Sequence, residues 1–457
     1  MPNLPQDFLD KMRSLMGEAY EAFLKSYDDE RYAGLRVNTL KISTEEFLRL
    51  SPFALDGVPW AEEGFYYGPE DRPGKHPYHE AGLYYIQEPS AMAVGTLLNP
   101  QPGERILDLS AAPGGKATHI AAKMDGTGLL VANEIHPSRA KILSQNIERM
   151  GVKNCVVTNE PPERLQDRFD NFFHRILVDA PCSGEGMFRK DEAARSEWSL
   201  EHVKHCAERQ LYILEAADKM LMAEGYLVYS TCTFSPEENE RVIDQFIQRH
   251  PEYEIQKVKG YEGFSPGRAE WSIGNSDKMG RTVRLWPHIA RGEGHYIAVL
   301  QKTEGKSFKR TKLTIRKLDK KELKEYDAFC KKFLKASYEG QFIMYGEQLY
   351  IIPEEIGALD NLRVLRPGLH LGALKKNRFE PSHALALALQ HQEVKNNVFL
   401  TATSTEVLDY LKGNVFETEG ADGWNLVNVD GYSLGWCKIA NGIVKNHYPK
   451  GLRWLGG

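Results

Sequence analysis

Two cysteines follow two consecutive strand-like runs, and this placement suggests covalent chemistry. Cys182 comes just after the run 175–179, and Cys232 directly after the run 226–231. Both runs are short, apolar and rich in β-branched residues, as buried parallel strands are. Because ligands bind outside the carboxyl ends of such strands, we expect both thiols to face one cleft. A thiolate adds readily to an electron-poor carbon, and a second thiol nearby can act as an acid or a base.

The loop over residues 108–116 joins a strand to a helix and carries two adjacent glycines. Gly114 and Gly115 let the backbone approach a ligand closely, and the helix N-terminus offers unpaired N–H groups to an anion. The loop lacks the Gly-x-x-x-x-Gly-Lys-Ser/Thr pattern, which disfavours a nucleoside triphosphate. Glu134 ends the next strand, twenty residues after Gly114, where an acid typically binds ribose hydroxyls. Together these features predict a nucleoside cofactor.

Composition limits the class of protein. The chain has 457 residues, which is too long for one hydrophobic core and predicts about two to four domains. No run is long enough to span a membrane, and the first residues lack a signal pattern. The six cysteines show no Cys-x-x-Cys spacing, which argues against a zinc site or a disulfide scaffold and suits a reducing cytoplasm. Cys155, Cys206, Cys330 and Cys437 are most simply packing residues.

Charge is distributed unevenly along the chain. The net charge is −5, yet residues 301–340 hold 13 lysines and arginines against 6 acidic residues. The segment 431–457 carries Lys438, Lys445, Lys450 and Arg453 with no acidic residue after Asp430. Basic surface outside the catalytic region indicates a polyanionic partner, although a solvated charged face is the simpler alternative.

Alternating strand and helix patterns begin near residue 86 and predict an α/β fold with a doubly wound sheet. We divide the chain into an N-terminal segment (1–85, irregular over 51–84), a catalytic domain (86–302), a basic linker with a small intermediate domain (303–380) and a mostly β domain (381–457). Helices are expected from Phe8 to about Tyr27, over about 200–222, from Ser235 onward, and along the apolar stripe 323–334.

Several motifs resemble those of a known family. Residues 108–116, Asp179-Ala-Pro-Cys-Ser-Gly184 and Ser230-Thr-Cys232 resemble the motifs of the Sun/Nop-type RNA (cytosine-5) methyltransferases. The tracts 35–43 and 182–191 are more narrowly similar to the bacterial RsmF-type ribosomal RNA enzymes, and 434–453 to their C-terminal PUA-like domain. The resemblance implies a Rossmann-like S-adenosylmethionine-dependent core between an N-terminal RNA-facing segment and a PUA-like RNA-binding domain.

The resemblance also implies roles for individual residues. Cys232 would be the nucleophile, Cys182 would assist release, Asp179 would hold the cytosine edge, and Lys190 would lie by the same cleft. S-adenosylmethionine would contact Ser110, Ala111, Ala112, Pro113, Gly114, Gly115, Lys116, Glu134, Glu160 and Asp179. RNA would contact Arg36, Asn38, Lys438, Lys445, Lys450 and Arg453. Gly294-His-Tyr-Ile-Ala298 replaces a more usual Gly-Phe-Phe pattern, which changes the wall that this segment forms.

The function expected from the sequence is methylation of carbon 5 of cytosine in small-subunit ribosomal RNA. The target base must leave its stack to reach such a pocket. Transfer RNA is the alternative substrate, and a non-catalytic RNA-binding assembly factor is the alternative from another class. A DNA methyltransferase, with Cys182 as nucleophile, is a third possibility that the basic C-terminal module disfavours. We expect a cytoplasmic monomer that uses no metal.

Overall fold

The computed structural model describes residues 4–306, 316, 318–356 and 359–454. The expected basic linker over 303–317 lies for the most part outside the described residues. None of the helices within these ranges is long and apolar enough to cross a bilayer.

The N-terminal segment folds into two helices followed by a four-stranded antiparallel sheet of order β2-β3-β1-β4. Its elements are α1 (Gln6–Met16), α2 (Tyr20–Lys25), β1 (Gly34–Val37), α3 (Thr44–Leu50), β2 (Leu55–Val58), β3 (Ala61–Tyr67), α4 (Pro77–Glu80) and β4 (Tyr84–Ile86). The prediction that 51–84 is irregular is therefore wrong. Its aromatic residues favour strands, while its glycines and prolines occupy the connections and the close approach at Gly64, where an added Cβ would lie 2.6 Å from Met92 Sδ.

The catalytic domain contains the predicted doubly wound sheet. Its elements are α5 (Pro89–Leu98), β5 (Arg105–Asp108), α6 (Gly115–Lys123), β6 (Leu129–Asn133), α7 (Pro137–Arg149), β7 (Cys155–Thr158), α8 (Pro162–Gln166), β8 (Phe173–Asp179), α9 (Glu192–Glu197), α10 (Leu200–Met220), β9 (Leu221–Thr231), α11 (Glu240–Arg249), β10 (Tyr253–Ile255), β11 (Phe264–Pro266), β12 (Val283–Leu285) and β13 (His295–Lys302). Strands β7-β6-β5-β8-β9 are parallel, and β13 runs antiparallel to β9. The expected final pair, β10 with β13, is confirmed.

The remaining chain forms two further sheets, of orders β14-β15-β17-β18 and β19-β21-β22-β23-β20. The elements are α12 (Lys324–Phe333), β14 (Gln341–Tyr345), β15 (Gln348–Ile352), β16 (Val364–Arg366), β17 (Leu369–Lys375), β18 (Arg378–Pro381), α13 (His383–Ala388), β19 (Asn397–Leu400), α14 (Thr405–Lys412), β20 (Phe416–Glu417), β21 (Gly423–Val429), β22 (Tyr432–Ala440) and β23 (Ile443–Asn446). The predicted amphipathic helix in 323–334 is confirmed as α12. Strand β16, however, pairs antiparallel with β7 and extends the catalytic sheet.

Two predicted helices differ from the structure. The single helix expected from Phe8 to Tyr27 is interrupted at Gly17, whose φ of 53° ends α1. The helix expected from Ser235 starts at Glu240 instead. Residues 236–239 form turns because the Ser235 hydroxyl and the carboxylate of Glu238 make buried hydrogen bonds to the catalytic loops rather than capping a helix.

The domains share hydrophobic cores. Leu35 and Val37 of the N-terminal sheet and Phe47 of α3 pack in one cluster with Val427 and Leu434 of the C-terminal sheet. A second cluster, formed by aromatic side chains, joins the N-terminal helices to the catalytic domain. Its ring contacts include Phe8 with Phe188 at 5.0 Å and Phe23 with Phe234 at 5.3 Å between centroids. The N-terminal helices therefore support the segments that follow both catalytic-motif cysteines.

Candidate active site

The carboxyl ends of β5, β8 and β9 lie side by side at the point where the order of the parallel strands reverses. Strand β5 lies between β6 and β8, and β9 follows β8. An open α/β sheet binds its ligands in the crevice that forms at this point. Two segments leave the sheet here, residues 180–187 after β8 and residues 232–239 after β9, and we call them the thiol loops.

The thiol loops bring the two cysteines into contact. Cys182 Sγ and Cys232 Sγ are 3.4 Å apart, and both residues are partly exposed. The loops are also joined through the backbone, since the Gly186 N–H donates to the Cys232 carbonyl at 2.7 Å. The hydrogen bond with Cys232, together with burial and the nearby Glu238, raises the pKa of Cys182 well above its ordinary value. Cys182 therefore carries its proton at neutral pH and can donate it toward Cys232.

Asp179 lies in the same cleft as an ionised carboxylate. Lys116 Nζ donates to Asp179 Oδ2 at 2.8 Å, and Ser230 Oγ donates to Oδ1 at 2.7 Å. Burial alone would raise the pKa of Asp179, but the charge of Lys116 and the two hydrogen bonds hold it below its ordinary value. Lys116, expected from the sequence to contact the cofactor, thus also fixes the charge of Asp179.

The glycine loop is held through its carbonyl groups. Side chains of Arg139, Asn146 and Arg36 donate to the carbonyls of residues 112, 113 and 115 at 2.9, 2.8 and 2.7 Å. Gly114 has a φ of 119°, which side-chain-bearing residues rarely adopt, and an added Cβ would lie 3.2 Å from Asn146 Cβ. The loop is therefore a fixed cradle in which the residues from Ser110 to Lys116 line the start of α6.

Two buried carboxylates beside this loop fit S-adenosylmethionine. Glu134 accepts from the His136 N–H at 2.9 Å through Oε1, while its Oε2, 3.3 Å from Arg139, has no hydrogen bond among the described residues. Asp108 is fully buried, and neither oxygen accepts a hydrogen bond from another side chain in the described part of the chain, while the Ser110 backbone lies close enough to lower its pKa slightly. Burial and the charge of Asp179 raise the pKa of Asp108 to about 8. Ribose hydroxyls and an ammonium group are the donors that such acceptors require.

Glu160 is engaged by the intermediate segment. It accepts from the Arg363 N–H at 2.7 Å, and the Arg363 guanidinium lies 3.3 Å from its other oxygen. These contacts arise because β16 adds to the sheet beside β7 and brings Arg363 next to Glu160. The structure therefore gives Glu160 a partner from outside the catalytic domain, and its contact with the cofactor stays a prediction.

The expected RNA contacts of Arg36 and Asn38 do not agree with their burial. Arg36 is fully buried and donates to Gln87 Oε1 at 2.6 Å as well as to the Gly115 carbonyl. Asn38 is 1% exposed and donates to the carbonyls of Gly82 and Met150 at 2.8 and 2.9 Å. Both residues attach the N-terminal sheet to the catalytic domain, so neither offers a surface to RNA.

Lys190 is exposed, in agreement with a place at the surface of the cleft, but its neighbour Arg189 is the anchored residue. Arg189 Nε donates to Glu293 at 2.8 Å, and Nη1 donates to the Ser26 carbonyl at 2.7 Å. The first thiol loop is thereby attached to both the N-terminal helices and the segment that precedes β13.

Two buried glutamates that the sequence reasoning missed hold the thiol loops together. Glu185 of the first loop accepts from Ser235 Oγ of the second at 2.5 Å. Glu238 of the second loop accepts from the Ser183 N–H of the first at 2.9 Å, from Ser183 Oγ and from Gln210 Nε2 at 2.9 Å. Each loop thus sends one carboxylate into the other, and this exchange fixes the separation of the two sulfurs.

Glu238→Gln is expected to change how stability depends on pH. Burial and the nearby Glu185 raise the pKa of Glu238 from 4.5 to about 7. Because the folded state holds this proton more tightly, the contribution to stability is full below about pH 4.5 and is lost as the pH rises through 7. Urea unfolding measures the free energy of unfolding of both proteins at pH 5 and pH 8. The value for the wild type minus that for the Gln variant should fall by on the order of 3 kcal/mol from pH 5 to pH 8.

Glu237→Gln is the matched control for this experiment. Glu237 is the adjacent acid, and its pKa is lowered because Lys11, 2.8 Å away, outweighs the effect of its burial. Its contribution is therefore constant between pH 5 and 8, and this variant should keep the wild-type dependence. Equal pH dependence in all three proteins would mean that Glu238 is ionised at pH 5.

Comparisons with known proteins agree with this site. Four family models match the chain: "16S rRNA methyltransferase RsmB/F" over 95–301, the N-terminal domain of 16S rRNA methyltransferase RsmF over 4–89, the first C-terminal domain of RsmF over 328–389 and the RsmF PUA domain over 397–454. Ribosomal RNA small subunit methyltransferase F from Psychromonas ingrahamii is 30% identical over 98% of this chain and 97% of its own, and that from Shewanella piezotolerans is 32% identical over 99% and 98%.

Solved structures agree as well. A methyltransferase homolog from Pyrococcus horikoshii is 31% identical, with a TM-score of 0.60 over 66% of this chain and 96% of its own. NSun6 from Pyrococcus horikoshii, solved with SFG, has a TM-score of 0.57 over 66% of this chain and 99% of its own. At 24% identity, the second likeness concerns the fold alone.

Proposed function

Because the chain belongs to the RsmB/F family of 16S rRNA methyltransferases, we propose that it methylates carbon 5 of cytosine in small-subunit ribosomal RNA. Family membership makes it an S-adenosylmethionine-dependent RNA methyltransferase, as the resemblance predicted. The observation that carries the proposed mechanism is the 3.4 Å contact between Cys182 and Cys232 beside an ionised Asp179.

In the proposed first step, Cys232 makes carbon 5 nucleophilic. Its thiolate forms a bond to carbon 6, the electron pair of the C5=C6 bond forms a C4=C5 bond, and the pair of the C4=N3 bond moves to nitrogen 3, which takes a proton from solvent. The Asp179 carboxylate accepts the hydrogen bond of that new N–H, which stabilises the adduct. S-adenosylmethionine supplies the methyl group to carbon 5 and leaves as S-adenosylhomocysteine.

Cys182 acts in the proposed last step. The carbon 5 proton passes to solvent, its electron pair re-forms the C5=C6 bond, and the electron pair of the carbon–sulfur bond returns to Cys232. Nitrogen 3 returns to solvent the proton that it took in the first step, which leaves neutral 5-methylcytosine. A protonated Cys182 that donates to Cys232 Sγ stabilises the departing thiolate. The raised pKa of Cys182 supports this division of labour, since the group that keeps its proton is the donor and not the nucleophile.

On the RNA side, the C-terminal basic residues differ in what they can contact. Lys445 and Lys450 are exposed, and Lys438 lies opposite Lys445 in the β22–β23 ladder with Nζ 4.4 Å from the Trp424 ring centroid. Arg453 packs on Gly413, where an added Cβ would lie 2.2 Å from Arg453 Nε. We therefore keep the three lysines as the proposed phosphate contacts and assign Arg453 to packing.

Replacing Lys438, Lys445 and Lys450 together by Ala is expected to weaken RNA binding and make it less dependent on salt. The slope of log affinity against log salt should fall by about 0.7–0.9 per lost phosphate contact. Binding titrations at several salt concentrations measure it, with exposed Lys204, Lys219 and Lys257 of the catalytic domain replaced together as the control. Equal slopes for the two variants would mean that the C-terminal charges are only a solvated face.

Substitution is preferable to truncation near residue 380. The C-terminal sheet shares a core with the N-terminal sheet, so truncation would expose Leu35, Val37 and Phe47 to water. A loss of RNA binding in a truncated chain would then report unfolding of the N-terminal sheet as well as loss of contacts.

Bisulfite sequencing tests the proposed substrate. RNA from cells that lack the protein should lose 5-methylcytosine at positions in 16S rRNA, and the wild-type gene should restore it while Cys232→Ala should not. Loss confined to transfer RNA would favour the alternative substrate, and unchanged methylation everywhere would favour a non-catalytic assembly factor. The proposal also places the protein in the cytoplasm, where ribosomal RNA is made and thiols stay reduced.

A further inference from the structure

His295 lies beside Cys232 on the strand next to it. Strands β9 and β13 run antiparallel with Tyr296 opposite Thr231 and the next residue opposite Ser230. His295 is the first residue of β13, two residues before the one opposite Ser230, and Cys232 directly follows the last residue of β9. Opposite residues of an antiparallel pair project to the same face of the sheet, so the His295 side chain lies on the face that carries Ser230 and its carboxylate partner.

The contacts of His295 determine its tautomer. Nδ1 is 2.8 Å from the Gly294 carbonyl oxygen, which can only accept, so Nδ1 carries the proton and Nε2 presents a lone pair. Burial, then the charge of Lys116, lower the pKa of His295, which keeps the ring neutral. The ring is held in place from behind, since Ser90 Oγ is 3.3 Å from Nδ1 and accepts from the Gly294 N–H at 3.2 Å.

Nε2 of His295 is an acceptor that lacks a donor. The residue is 6% exposed, and Nε2 has no hydrogen-bonding partner anywhere in the described ranges. An unpaired buried acceptor is unfavourable, and a molecule that donates a hydrogen bond to it removes this cost. Lys116 Nζ donates to Asp179 at 2.8 Å and makes no hydrogen bond to His295 Nε2. A base that enters the cleft beside Asp179 can supply this donor.

We propose that His295 Nε2 accepts a hydrogen bond from the exocyclic amino group of the target cytosine and thereby selects cytosine over uracil. This inference rests on the proposed function, because it assigns the donor to the base that Cys232 attacks. The amino group has two hydrogens, and the Asp179 carboxylate can accept only the one on the nitrogen 3 side. Uracil carries a carbonyl oxygen where cytosine has its amino group. The lone pairs of that oxygen would face the lone pair of Nε2 and repel it.

Two substitutions distinguish the loss of the Nε2 acceptor from the loss of the whole His295 ring. His295→Asn keeps an N–H for the Gly294 carbonyl but removes the acceptor at Nε2, whereas His295→Gln can place its Oε1 near that position. Each protein is given two RNA oligonucleotides centred on the cytosine that bisulfite sequencing identifies. One contains that cytosine, and the other contains pyrimidin-2-one in its place, which can still accept Cys232 at carbon 6 but has no amino group.

The measured quantity is the single-turnover rate of covalent adduct formation on a denaturing gel. With cytosine RNA, His295→Asn should form the adduct at least about tenfold more slowly than the wild type. His295→Gln should recover part of the lost rate. With pyrimidinone RNA, the wild type and His295→Asn should react at equal rates. Calorimetric binding of S-adenosylmethionine should be unchanged in both variants.

Three results would overturn the assignment. If His295→Asn slows both RNAs by the same factor, the ring supports Cys232 and does not contact the amino group. If it slows neither, Nε2 plays no part in base binding. If the wild type forms no adduct with either RNA while it binds both, the covalent mechanism itself fails and this inference fails with it.

Discussion

Cys182→Ala is expected to accumulate a protein–RNA complex that survives denaturation and carries the transferred methyl group, whereas Cys232→Ala should form neither product nor complex. The reason is that the two thiols act in different steps. Without Cys232 no bond to carbon 6 forms, and turnover should fall by more than about 10³-fold, as for the loss of other covalent nucleophiles. Without Cys182, attack and methyl transfer proceed, but the departing thiolate loses its hydrogen-bond donor.

The structure adds a reason to expect this asymmetry. Both sulfurs lie at the carboxyl ends of adjacent strands with similar exposure, so position alone does not distinguish them. The contact with Cys232 and burial raise the pKa of Cys182, which agrees with the donor role that the proposed mechanism gives this thiol. A Cys182→Ser variant, which retains a hydroxyl donor, should release product faster than the Ala variant and serves as the matched control.

The measurement is a denaturing gel with RNA and cofactor labelled separately, run under reducing conditions so that the 3.4 Å thiol pair stays reduced. A methylated adduct in Cys232→Ala, and none in Cys182→Ala, would reverse the roles of the thiols. Full turnover in both variants would remove both cysteines from the mechanism.

Sequence patterns predicted the centre of the fold because strand periodicity and chemistry coincide there. The apolar runs that end at Asp179 and Thr231 are buried parallel strands. The residues that follow them have few conformations in which all their backbone and side-chain polar groups form hydrogen bonds. The thiol cleft and the glycine loop follow from that arrangement. The resemblance to the family was inferred from the sequence motifs on these loops.

Contacts between distant parts of the chain could not be predicted in this way. Arg36 and Asn38 have the composition of surface residues, yet each is buried because another domain supplies its partners. Strand β16 has only three residues, and its pairing with β7 depends on the intermediate domain reaching the sheet edge. Propensity and periodicity describe local preferences, whereas these contacts depend on how whole domains pack.

The missed glutamates have a different explanation. Glu238 follows Ser235 and Pro236, and this spacing is typical of the first turn of a helix, where an acid is favourable without any other role. Tertiary contacts instead place it against Ser183, where burial raises its pKa to about 7. A fully buried glutamate within a few residues of a motif cysteine is recognisable as part of a site only once its burial is known.

Asp179→Asn is expected to lower the rate of methyl transfer by about 10²–10⁴-fold with little change in RNA affinity. The substitution keeps the shape of the side chain and an acceptor for Ser230, but it removes the charge that Lys116 and the protonated ring both require. Adduct formation should fall with methyl transfer, because the stabilisation at nitrogen 3 is needed when Cys232 adds.

Ser230→Ala separates the charge of Asp179 from its hydrogen bonds. This variant removes the 2.7 Å bond to Oδ1 but leaves Lys116 at 2.8 Å from Oδ2, so the rate should fall only about tenfold, the effect of one hydrogen bond.

Because the pKa of Asp179 is lowered, its protonation should not reduce the wild-type rate anywhere above about pH 4. Single-turnover rates across pH 5–9 measure both effects. An Asn variant within tenfold of the wild type would show that the carboxylate only orients Lys116, and the charge-stabilised adduct would have to be abandoned.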